Sequence, residues 1–116
     1  MGIEDVANRA RLLSDIASPD APTHTNDRGG SQSLVPARFD LIDAKALFEV
    51  ARVLYEGAEK YGKDNWRLIP VEDHINHNIM HAYAYLAGDR SDDHLSHMTC
   101  RSIFAQGVIL QPKEVI

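Results

Sequence analysis

The chain reads as an all-α protein, a small bundle of three to four helices completed by oligomerisation. Three observations predict this. Apolar residues recur at three- and four-residue intervals in four separate stretches, the period of a helix buried along one side. No stretch shows the apolar–polar alternation of a half-buried strand. With 116 residues, 44% of them hydrophobic, the chain fits one modest core, and helical proteins of this size often complete such a core with copies of themselves.

The first stretch runs from Gly2 to Ala17, with Ile3, Val6, Ala10, Leu13 and Ile16 at helical spacing. From Ser18 to Ser33 the chain carries Pro19, Pro22, Gly29 and Gly30 among Ser, Thr, Asp and Asn. That composition favours turns and buries little, so an extended loop or arm is expected. The organisation read from this is an N-terminal helix and arm over residues 1–35 and a helical domain over residues 36–116. A second helix is predicted from about Asp43, its N-cap, to Tyr61, with Leu47, Val50, Ala51, Leu54, Ala58 and Tyr61 as core stripe and Gly62 as its stop. A third, capped by Asp73, turns Ile75, Ile79, Ala82, Tyr83 and Leu86 to the core and stops at Gly88. A fourth, from about Asp92 to Leu110, presents Leu95, Met98, Ile103, Phe104 and Val108 and closes before Pro112.

A formal charge of −5 argues against a polymer binder that grips nucleic acid through a broad basic face. A small anionic ligand stays compatible if metal ions neutralise it. The single cysteine, Cys100, makes no internal disulfide and reads as a small core residue of a reducing compartment. No window approaches the roughly 18 apolar residues of a membrane span, and the N-terminus lacks a signal pattern. A cytoplasmic, soluble protein is the expectation.

Three clusters carry chemistry. Glu49, Glu56 and Glu59 project from one side of the second helix. They form either a solvated acidic face or a grip on a hard cation such as Mg²⁺. His74, His77 and His81 follow at i, i+3 and i+7, beside Asp73 and Asn76. This is either a polar face with hydrogen-bonded histidines or a zinc site. Antiparallel pairing of the second and third helices sets Glu56 and Glu59 against Asp73, Asn76 and His77. The third cluster spans Asp89, Asp92, Asp93 and His97. Asp92 or Asp93 caps the fourth helix, or Asp93 and His97 share a ligand. In an up-down bundle this cluster lies about 20 Å from Glu59, so the two join only through a second subunit or a bent helix.

The run Arg38-Phe39-Asp40-Leu41-Ile42, then Glu56-Gly-Ala-x-Lys60-Tyr61-Gly62-x-x-Asn65-Trp66-Arg67, His81, Gly88-Asp89-x-x-Asp92 and Leu95-x-His97 resembles phage-encoded dATP/dGTP diphosphohydrolase-like domains. These are relatives of the MazG-type all-α nucleoside triphosphate pyrophosphohydrolases, including the MazZ-type enzymes. The resemblance covers Arg38 to about Leu110. It implies a homodimeric or homotetrameric bundle that holds Mg²⁺ or Mn²⁺ on carboxylates and cuts a deoxynucleoside triphosphate, dGTP or dATP, into monophosphate and pyrophosphate, in the cytoplasm of an infected host cell if phage-encoded. The family pattern is Glu-x-x-Glu followed by Glu-x-x-Asp. Glu56 and Glu59 match its first half, whereas the second half is either Asp73-x-x-Asn76, an amide replacing a carboxylate, or Asp89-x-x-Asp92.

On this reading Glu56, Glu59, Asp73 and Asn76 ligate metal, and Glu56, Glu59 and Lys60 are catalytic. Arg38, Lys63, Asn65, Trp66, Arg67, His77 and His81 face the nucleotide. Trp66 either stacks on the base or anchors the core. The competing functions are a non-catalytic nucleotide- or metal-binding helical oligomer and a triphosphohydrolase that releases tripolyphosphate.

Overall fold

The structure, a computed structural model, describes residues 12–112. It divides into two compact units that meet at Ile42 and Asp43. In the first, α1 (Leu12–Ala17) falls at the end of the expected helix. Ile3, Val6 and Ala10 of its stripe lie outside the described residues. The expected loop contains a small hairpin that sequence reading missed, β1 (Thr23–Thr25) antiparallel to β2 (Ser31–Ser33), with His24 opposite Gln32. Its six residues are all exposed, so no apolar alternation exists to be read. The turn closes through Asn26, whose Oδ1 accepts from the Arg28 and Gly30 amides, each at 2.9 Å. A 3-10 turn, Phe39–Leu41, follows.

The second unit holds three long helices, α2 (Ala44–Tyr61), α3 (Val71–Leu86) and α4 (His94–Leu110). Asp43 caps α2 as expected, accepting from the Ala46 amide at 2.9 Å. Gly62, at φ 94°, ends it in a backbone conformation that L side chains rarely adopt. The link to α3 carries Asp64 at φ 62° and a 3-10 turn over Asn65–Leu68. The third helix begins three residues earlier than expected. Pro70 occupies its cap position and Asp73 sits inside the first turn, where it and Glu72 complement the helix dipole. Gly88, at φ 92°, turns the chain back, and Asp93 caps α4 by accepting from the Ser96 amide at 3.2 Å.

The return is antiparallel. His74 meets Arg101 and Phe104, Asn78 donates to Ser102 at 3.1 Å, and His81 meets His94 and His97. The second helix packs on α4 around Val50, Val53, Cys100 and the partly covered Phe104. Cys100 is buried and free, as read from the sequence, and its thiol faces the Val50 carbonyl at 3.6 Å. Arg52 ties the two helices further, with Nε 2.9 Å from Glu49, Nη1 3.1 Å from Glu56 and Nη2 2.7 Å from Asp93.

The expected core faces need correction. On α3 the residues turned inward are His74 and His81, while Ile75, Ile79, Tyr83 and Leu86 are exposed. On α2 the buried positions are Val50 and Val53, with Leu47, Leu54 and Tyr61 exposed. On α4 they are His94 and Cys100, with Leu95 and Ile103 exposed. Hydrogen bonds offset the burial of these rings: His74 has a partner at each ring nitrogen, Trp66 and Arg101, and His81 has His94 at Nδ1.

Candidate functional site

A cleft of about 970 Å³ opens in the second unit between α2, the α2–α3 link, α3 and α4. That lies at the upper end of volumes typical of small-molecule pockets. Helix α2 contributes Glu56 and Lys60, and the link after Gly62 contributes Lys63, Asn65 and Trp66. The inward side of α3 adds His74, His77 and His81. The α4 side adds Asp92, His97 and Arg101. The cleft combines lysine, arginine and imidazole side chains with the carboxylates of Glu56, Asp64 and Asp92.

At one part of this region, ligating atoms of His81, Asp92 and His94 lie within 4.8 Å of one another. His81 Nδ1 and His94 Nδ1 are 2.9 Å apart. His94 Nε2 donates to Asp89 Oδ2 at 2.6 Å, which fixes the ring and leaves its Nδ1 as the lone-pair side. A carboxylate behind a histidine is the usual support of a metal-ligating imidazole. The same contact, with the Ser91 hydroxyl, holds the Asp89 carboxyl below the usual carboxylate range. The His97 ring stacks on His81 at 5.2 Å, and its Nε2 lies 3.4 Å from Asp92. Burial, and then the neighbouring His97 and His94, push His81 below the ordinary histidine range, toward the neutral form that binds metal. Two imidazole nitrogens and a carboxylate suit Mn²⁺ and other first-row transition ions better than Mg²⁺, which takes oxygen ligands.

The structure brings together Glu56, Lys60, Lys63, Asn65, Trp66, His77, His81, Asp92 and His97. The Asp89–His97 cluster was expected some 20 Å from the tail of α2. Of it, Asp92 and His97 reach the cleft within one chain because α4 starts beside Arg52, in the middle of α2. Glu59, Asp73 and Asn76 are exposed and do not line the cleft. Since α3 turns His74 and His81 inward, Asp73 falls to its side and Asn76, two residues on from His74, to its outer face, so neither is set against Glu56 in the cleft. Asp93 caps α4 and binds Arg52. Arg67 lies over the Trp66 ring at 4.2 Å and 3.5 Å from Asp64. Arg38 belongs to the first unit, where it is bidentate on Asp40 at 2.9 and 2.7 Å.

Sequence reading missed His94 as a metal-type donor and Arg101 as a cleft residue. The available signal was His94-x-x-His97 followed one turn later by Arg101, three side chains on one stretch of helix.

A helical unit whose cleft joins metal-type donors to lysine and arginine side chains is of a class equipped for phosphorylated ligands. The chain belongs to the dATP/dGTP diphosphohydrolase, N-terminal family, whose model matches residues 26–115. That family is named for a hydrolase. No curated protein and no solved structure matches the chain. Among the described residues, no helix is long and apolar enough to cross a membrane.

Proposed function

We propose that the chain hydrolyses a purine deoxynucleoside triphosphate, dATP or dGTP, to the monophosphate and pyrophosphate with a divalent metal ion, and acts as a homodimer or homotetramer in the cytoplasm. The observation that carries this reading is one cleft lined by Lys60, Lys63 and Arg101 and by the donors His81 and Asp92, in a chain of a family named for dATP/dGTP diphosphohydrolase.

His81, Asp92 and His94 would hold the ion, with Mn²⁺ favoured over Mg²⁺ by their chemistry. When bound, the ion offsets phosphate charge and acidifies a water. Asp89 fixes the His94 ring through Nε2 and would leave Nδ1 for the ion. Glu56 has Oε1 engaged by Arg52 at 3.1 Å, and its Oε2 accepts the proton of the attacking water. The bond from the α phosphorus to the α–β bridging oxygen breaks, the oxygen leaves with pyrophosphate, and Lys60 and Lys63 meet the charge that collects there. The Asn65 amide offers a donor and an acceptor to a base edge.

The test is product analysis on metal-stripped protein resupplied with Mn²⁺ or Mg²⁺. dATP and dGTP are expected to yield monophosphate and pyrophosphate faster than dCTP and dTTP, and Glu56→Gln to lower kcat by about 10²- to 10⁴-fold. Nucleoside plus tripolyphosphate, or tight binding with no product, overturns the reading in favour of a triphosphohydrolase or a binding module.

A further inference from the structure

His74 is fully buried, 0% exposed, and the reaction above does not use it. Its Nε2 lies 3.0 Å from the Trp66 carbonyl oxygen and its Nδ1 3.1 Å from Arg101 Nη1. A carbonyl only accepts and a guanidinium only donates. The two contacts therefore place the ring proton on Nε2 and give the Nδ1 lone pair to Arg101.

Arg101 is half-buried, lines the cleft, and makes no ion pair among the described residues. Arg38, Arg52 and Arg67 each hold a carboxylate. A guanidinium carries five N–H donors, and among the described residues the hydrogen bond to His74 is its one contact of that kind. Withdrawing such a group from water without satisfying it is costly. Burial does pull Arg101 below the usual arginine range, yet a guanidinium stays charged there. The residue lies two turns along α4 from His94, a rise of about 10 Å. An extended triphosphate spans that distance, and Lys60 and Lys63 line the same cleft.

We propose that Arg101, aimed by the chain from the Trp66 carbonyl through His74, is an anion-binding residue that takes a phosphate of the bound polyphosphate, with His74 as its positioning residue. The planar fork of a guanidinium matches phosphate oxygens two at a time. The proposal rests on the nucleotide reading of the cleft, and the experiment separates the two.

The full chain is titrated calorimetrically with inorganic tripolyphosphate in EDTA, and dNTP turnover with Mn²⁺ is measured alongside. Arg101→Met is expected to weaken tripolyphosphate binding by about ten- to a hundredfold, and Arg101→Lys by less. In turnover, KM is expected to rise more than kcat falls. His74→Phe, which keeps a ring but no acceptor, is expected to weaken tripolyphosphate binding as well. His74→Gln, whose amide supplies an acceptor, is expected to restore part of it. Equal affinity in Arg101→Met and wild type, or no tripolyphosphate binding by the wild type, overturns the proposal. If the wild type turns over no nucleotide while Arg101→Met still loses tripolyphosphate, the anion site stands and the nucleotide reading falls.

Discussion

Trp66 shows what a single residue decides in this fold. From sequence it was either a platform for a base or an anchor for the core. In the structure its ring stacks on Phe104, with centroids 4.8 Å apart and planes 8° from parallel, and the Arg67 guanidinium lies over it. It therefore packs the end of α4 against the α2–α3 link while also bordering the cleft. Gly107 is the residue that lets it approach, since a Cβ there would lie 2.7 and 2.8 Å from Trp66 ring atoms. Two effects compete in Gly107→Ala. Helix propensity favours alanine by about 1 kcal/mol, whereas overpacking against a ring already pinned by two neighbours costs about 1–3 kcal/mol. The clash is expected to win, with a Tm lower by a few degrees in a thermal melt, and a Tm equal to or above wild type would show that Trp66 yields freely.

At the scale of the element, α3 is the instructive helix. Its apolar stripe was legible, and its existence and end followed from the periodicity and Gly88. Which side faces inward was not legible, because hydropathy marks a side to be covered without saying by what. His74 and His81 supply what α4 packs against, and their partners are far away in sequence, Arg101 for His74 and His94 for His81. This inward side also sets a pH response. His77 is pushed below the ordinary histidine range, first by partial burial, then by Arg101 from α4 and by His74, with Asp73 on its own helix opposing. The unfolded chain thus takes up the proton at higher pH than the folded one. Stability is complete above about pH 6.5, the unfolded value, and falls as pH drops through it until the lowered folded value is passed. Urea midpoints from about pH 8 to 5 are expected to decline less steeply in His77→Gln than in wild type. Superimposable declines would remove His77 as a contributor.

Over the whole molecule, the described residues bury very little apolar surface. Val50, Val53 and Cys100 are the buried hydrophobics, while Phe48 is 78% exposed, Leu68 84%, Tyr83 69% and Leu86 77%. A unit this small does not hold itself together on so slight a core, which supports the proposed association with further copies. Sedimentation at micromolar concentration is expected to give a dimer or tetramer, and Ile79→Glu on the outer side of α3 to shift it toward smaller species with a lower Tm. A wild type that sediments as a stable monomer would refute this. What the sequence by itself determined is local: the lengths of α2, α3 and α4 to within a few residues, the Asp43 cap, the glycine stops, and the Glu56–Trp66 run that bounds the cleft. Each depends on side chains within a few positions of one another, where helical period and capping act. Only the tertiary structure decided that Asp92 and His97 share a cleft with Glu56, that His94 joins His81, that Glu59, Asp73 and Asn76 stay outside, and that Arg101 turns in. Those outcomes depend on how α4 folds back along α3, a choice made by buried hydrogen bonds between residues far apart in the chain, which no local pattern encodes.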